Sequence, residues 1–175
     1  MTTATHARPE ASEFAPFYST YIGSVPDGNI VELMRQEGRD LAMTFADIPD
    51  SKGGHRYAEG KWSVREVLGH MIDAERIFTY RLLRIARGDE TPLASFDQDA
   101  YVRTSGAESR TVAHLVKEML AVRDSTVLML ESLSPNAWSQ RGTASEKTIS
   151  VRALAYVAAG HSRHHMRILH ESYGI

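Results

Sequence analysis

Apolar residues recur with a helical period in four long stretches of this chain, and nothing shows sustained strand alternation. The pattern predicts helices near Asn29–Ala46, Val64–Arg87, Ser109–Leu133 and Ser150–Tyr173. Ser63 and Glu66 form a capping box at the start of the second, each side chain able to satisfy a free backbone N–H. Gly88 and Gly174 stand where a left-handed residue would stop a helix. Segments rich in Gly, Pro, Asp and Ser separate the four, so Asp47–Lys61, Asp89–Glu108 and Ser134–Lys147 read as loops. Phe14–Ile22 reads as a short lead-in element and residues 1–12 as a disordered tail, which leaves 13–175 as one domain. Helices of this length, roughly 27–38 Å at about 1.5 Å per residue, suit an all-α antiparallel four-helix bundle.

The same periodicity says which side chains face inward. On the last helix the stripe holds Val151, Leu154, Ala155, Ala158, His161, His165, Ile168 and Leu169. His164 lies at the edge of that stripe and His170 points nearly the opposite way. On the second helix the stripe runs through Val64, Val67, Leu68, Met71, Glu75, Phe78, Leu82 and Ile85, with His70 on its flank beside Ala74 and Ile77. Charges interrupt three stripes: Glu37 on the first helix, Glu75 on the second and Arg123 on the third. Charges are almost never buried without partners. Glu75 and Arg123 are therefore read as a buried pair fixing helix register, within a polar cavity of the bundle. The alternative is that Glu75 orients a ligating imidazole or shuttles a proton.

Composition narrows the chemistry. The net charge of -2, without any cluster of Lys or Arg, gives no nucleic-acid surface. No cysteine is present, so a thiolate metal site and a protein thiol nucleophile are excluded, and any metal must be held by His and carboxylate. The N-terminal residues lack an apolar signal region and the apolar runs fall short of a membrane span, so the expectation is a cytoplasmic protein with no membrane partner. The loop Phe96–Tyr101 is acidic, but its spacing is not that of a calcium loop, and it is read as solvated.

His161 and His165 are four residues apart, a spacing that lets two imidazoles on one helix face reach the same ion. His70, on a different helix, is the best candidate for a third ligand. Three neutral imidazoles fit a catalytic zinc-type arrangement with an open position. Spacing alone leaves the competing reading open, in which these are hydrogen-bonded core histidines. His6, His55, His114 and His170 are read as surface residues, and Trp62 and Trp138 as lids on the core.

The segment from Lys61 to Glu75, KWSVREVLGHMIDAE, resembles the second-helix signature of the DinB / YfiT-like superfamily. The segment from Pro92 to Val102, PLASFDQDAYV, is similar to the branch called DinB_2. Arg123, the Leu133…Trp138 turn and Gly160-His161…His165 extend the resemblance over roughly Asn29 to Tyr173. It implies a bundle of up-down-down-up topology with a divalent metal, commonly nickel or zinc, held by His70, His161 and His165. It also implies chemistry on small molecules, by hydrolysis or by transfer to a low-molecular-weight thiol such as bacillithiol or mycothiol.

The expected function is therefore a metal-dependent enzyme that activates a water or a small exogenous thiol, with Glu75, Asp73 and His164 as candidates to assist proton transfer. A non-catalytic metal- or small-ligand-binding module acting in stress responses, with a homodimer as its assembly, is the alternative. A purely structural bundle is the third.

Overall fold

The structure is a computed structural model that describes residues 6–175. Its helices are α1 (Ser19–Ser24), α2 (Ile30–Phe45), α3 (Val64–Ala86), α4 (Gln98–Thr104), α5 (Val112–Glu131) and α6 (Val151–Tyr173). The four long ones start where a side chain satisfies the free N–H groups of a first turn. Asn29 accepts from the Val31 amide, Ser63 and Glu66 complete the expected capping box, Thr111 accepts from His114 and Ser150 from Ala153. Gly88 and Gly174 have φ of 77° and 67°, the left-handed stops expected of them. α5 begins later than its periodicity suggested, because Thr111 is the cap and Ala107–Ser109 forms a separate helical turn before it.

α2, α5, α3 and α6 pack around a ring in that order, while α1 lies on α6. α2 runs against α5, since Arg35 meets Glu131 and Gly38 lies against Arg123. α3 and α5 run parallel: Glu75 pairs with Arg123 and, further along both, Thr79 with Thr126. α3 and α6 are antiparallel, His70 lying beside His165 and Phe78 beside His161. This is the up-down-down-up bundle. Its parallel α3–α5 pair requires the chain to travel back along the bundle between Arg87 and Thr111.

Three segments differ from their expectation. The loop between α3 and α5 contains α4, because Asp97 accepts hydrogen bonds from the Asp99 and Ala100 amides and caps a short helix. The loop before α6 contains a hairpin of β1 (Arg141–Ala144) and β2 (Lys147–Ser150), antiparallel with Arg141 opposite Ser150. Its two-residue turn places Ser145 and Glu146 at φ of 50° and 64° without the Gly or Asn that usually signals such a turn. The expected tail is packed from residue 6 onward. The Arg8 guanidinium donates to the Ile22 and Val25 carbonyls, and buried Glu13 accepts from Ser150 and pairs with Arg152. Residues 1–5 of that tail lie outside the described residues.

α1 can lie on α6 only because residue 160 is glycine. A Cβ there would stand 2.1 Å from the Tyr21 carbonyl oxygen. Two apolar clusters fill the bundle. One gathers Ile30–Met34, Ala74–Ile85, Val127–Leu130 and the first half of α6. The other gathers Leu41–Phe45, Val64–Ile72, Val112–Met119 and the end of α6.

Between them lies a polar layer. Arg123 donates from Nε and Nη2 to the two Glu75 oxygens, each at 2.8 Å, and from Nη1 to Glu37 and the Met34 carbonyl, each at 3.1 Å. Arg163 on α6 donates to the other Glu37 oxygen at 3.1 Å. Burial works against the Arg123 charge, but attraction to Glu75 and Glu37 outweighs it and raises its pKa. The polar cavity expected at this level is here a closed ion network. It predicts an asymmetry: Glu75→Ala alone leaves buried Arg123 only the Glu37 carboxylate, which Arg163 shares, and lowers unfolding free energy by about 3 kcal/mol, whereas Glu75→Met with Arg123→Met, which leaves Glu37 to Arg163, costs clearly less. Guanidinium unfolding of the single and double variants measures this, and a double variant as unstable as the single one would contradict it.

Candidate metal centre

His70 comes from the middle of α3, and His161 and His165 from successive turns of α6, so one helix pair supplies all three imidazoles. His70 Nε2 stands 3.0 Å from His161 Nε2. The three rings meet edge to face, with centroids 4.9 Å apart for His70 and His161, 4.8 Å for His70 and His165, and 4.5 Å for His161 and His165. One ring nitrogen from each lies within 4.8 Å of the others. All three residues are buried.

The donor set suits a divalent ion. Metal–imidazole bonds of about 2.0–2.1 Å place ligand nitrogens roughly 3 Å apart, close to the His70–His161 separation. Burial, the largest cause, keeps the rings neutral, which is the form that ligates. It lowers His70 to about 4, against a small opposing pull from Asp99. Burial and then repulsion from His70 and His164 lower His165 to about 3. His161 is pushed well below the usual imidazole value by burial and by its three histidine neighbours.

Aromatic rings close over the group. Trp62 lies 4.8 Å from His70, and Phe78 and Tyr21 meet His161 edge-on, each at 5.5 Å. Tyr173 donates to the Trp62 carbonyl at 2.6 Å and holds that lid. A cavity of about 250 Å³ reaches His70 and His161, walled by Tyr18, Tyr21, Phe78 and Phe96 with Arg81 and Gln98.

The sequence-derived helpers lie elsewhere. Both Glu75 oxygens accept from Arg123. Asp73 is half-buried, and its charged neighbours are Arg76, Glu118 and Arg110. His164 is half-buried, its ring 5.1 Å from that of His165, and it lines a second cavity of about 450 Å³ with Glu37, Arg163 and Arg167. Arg81 is the residue missed on α3. His70, Ala74, Ile77 and Arg81 follow one helical flank at steps of four, three and four, so continuing the His70 flank past Ile77 would have found it.

A family model of the DinB superfamily matches residues 33–169. The chain belongs to the DinB superfamily. Its fold is similar to that of YfiT from Bacillus subtilis, with a TM-score of 0.71 at 15% sequence identity over 94% of this chain and 93% of that one. That protein is described as a probable metal-dependent hydrolase with an unusual four-helix bundle topology. No curated protein matches this chain. Among the described residues of this DinB-superfamily chain, no helix is long and apolar enough to cross a membrane.

The lowered imidazole values carry a pH dependence for the metal-free protein. The unfolded chain takes up protons near the ordinary histidine value of about 6.5, while folded His70 and His165 wait until about 4 and about 3. The unfolded state therefore binds more protons in this window, and stability falls as pH drops. The contribution is fully present above pH ~6.5 and is lost progressively towards pH ~3. Denaturant midpoints of chelator-treated protein across this range check it. In His70→Phe the fall is shallower, and an unchanged slope would count against a buried neutral His70.

Proposed function

We propose that this chain is a metal-dependent enzyme acting on a small molecule, as a hydrolase or as a transferase to an exogenous thiol. The observation that carries the reading is the convergence of three buried, neutral imidazoles, two of which, His70 and His161, line an aromatic-walled cavity. A divalent ion bound there would supply Lewis acidity and lower the pKa of a water or thiol beside it. His70, His161 and His165 would be its ligands, with nickel and zinc the first ions to test. The description of YfiT as a metal-dependent hydrolase supports the same reading.

The chain's own residues do the rest. α3 and α6 hold the imidazoles on rigid helices, and the Arg123 network sets how those helices face each other. Tyr21, Phe78 and Trp62 keep bulk water from the imidazole edges. Of the three proton-transfer candidates, Glu75 is taken up by Arg123, and Asp73 faces charges that do not line the cavity. His164 stands nearest the group, its ring 5.1 Å from that of His165 on the side of the second cavity, and burial, then Arg167, lowers its pKa. The lack of cysteine means that any thiol arrives as a co-substrate. A cytoplasmic setting, where such thiols are found, belongs to this reading.

Protein purified without chelator should hold about one equivalent of divalent metal by elemental analysis. His70→Ala, His161→Ala and His165→Ala should each reduce retained metal at least roughly ten-fold, while His164→Ala keeps it. Metal content unchanged in His161→Ala would sink the proposal. Ester hydrolysis and thiol addition to an electrophile, measured with and without the metal, then separate the two reactions. Binding without metal-dependent turnover in either assay would favour a ligand-binding module.

A further inference from the structure

Arg81 is only 3% exposed, yet its partners are all neutral. Nη2 donates to the Ala94 carbonyl at 2.5 Å and to Ser145 Oγ at 3.1 Å. The Tyr18 hydroxyl is a further partner, and the guanidinium carbon lies 5.9 Å from the centre of the Phe96 ring. Among the described residues no carboxylate pairs with it. Arg123, the other deeply buried arginine of α5 and its neighbours, has two. Taking an unpaired guanidinium out of water is costly, and a counter-charge recovers much of that cost. Burial lowers the Arg81 pKa, and Tyr18 opposes this only in part.

The location decides what the counter-charge would be. Arg81 lines the same cavity of about 250 Å³ as His70 and His161. The bonds to Ala94 and Ser145 both leave from Nη2. Of the five donors of a guanidinium, those on Nε and Nη1 not taken by Tyr18 remain for an anion, to which they would make charge-assisted bonds. Phe17, Tyr18, Tyr21, Phe78 and Phe96 wall the space between. A cavity of about 150 Å³ already admits benzene, so this one has room for a ring with a polar substituent. Arg81 stands eleven residues beyond His70 on α3, about 16 Å along the axis, and its side chain leans back toward the N-terminus and shortens that span.

We infer that Arg81 anchors the carboxylate of the small molecule handled at this site, and that the molecule is an elongated ring-bearing acid whose far end meets the histidines. Its orientation towards the histidines rests on the metal-site reading above; the grip on the acid does not.

The test uses the full chain, both zinc-loaded and chelator-treated, titrated by calorimetry with benzoate, phenylacetate and 3-phenylpropionate and with their neutral amides. At least one acid should bind roughly ten-fold or more tightly than its amide in both metal states. Arg81→Gln should remove that preference with helicity and metal content kept, and Arg81→Lys should retain part of it. Should Arg81→Gln not fold, Arg81→Lys and the wild-type comparison carry the test. No binding of any acid, equal binding of acids and amides, or a preference kept in folded Arg81→Gln overturns the inference. So does a preference that vanishes with the metal, because the ion would then be reading the charge. An acid preference in a protein that never binds metal sinks the enzyme proposal and leaves Arg81 as an anion anchor.

Discussion

A guanidinium buried at mid-height of a helical bundle dictates how the helices around it must stand. Removing Arg123 and its carboxylates from water costs several kcal/mol per ion, and only close, well-aligned partners recover it. Glu75 comes from α3, Glu37 and the Met34 carbonyl from α2, and Arg163 from α6. A shift of any of these helices by one residue would leave a charge without its partner. Apolar packing above and below tolerates small slides; this layer does not. It is what converts a generic bundle into one with a defined register.

The histidines inherit that register. Arg163 lies between His161 and His165 in sequence, so its bond to Glu37 limits rotation of α6 about its own axis. Gly160 brings the α1 backbone against the same turn and places Tyr21 beside His161. His70 sits just over one turn before Glu75 on α3, so the helix held by Arg123 also carries the third imidazole. The layer thus answers burial of polar groups in two ways. Its charges are paired, while its imidazoles stay neutral because they are buried. A trio of neutral donors beside a saturated ion network is open to an added cation without disturbing the pairing.

The parts of this arrangement legible in the sequence are those carried by helical period. The four long helices, the capping box at Ser63, the stripe positions of His161 and His165 and the inward phase of Glu75 and of Arg123 each follow from spacing on one element. The parts that were not legible depend on contacts between distant segments. Arg8 looks like a tail residue until α1 supplies its partner. The hairpin strands are four residues each, and Ser145 and Glu146 give no turn signal. Glu37 showed as an inward charge, but which arginines would meet it depends on the ring order of the helices, which spacing alone does not contain.

Two arginines therefore define opposite uses of burial in one fold. Arg123 has its Nε, Nη1 and Nη2 all bonded, two carboxylates among the partners, and it holds the frame. Arg81 is as deeply buried, but a carbonyl, two hydroxyls and an aromatic ring are what surround it. If holding the Ala94 loop and the hairpin were all that was required, a neutral donor would do so without the cost of burying a charge. A negative group entering from outside would complete the balance that the Phe96 ring and the neutral acceptors leave open. The cavity that Arg81 shares with His70 and His161 is where such a group can come from outside the protein. Counting counter-charges around each buried cation thus separates the arginine that builds the site from the one that faces its ligand.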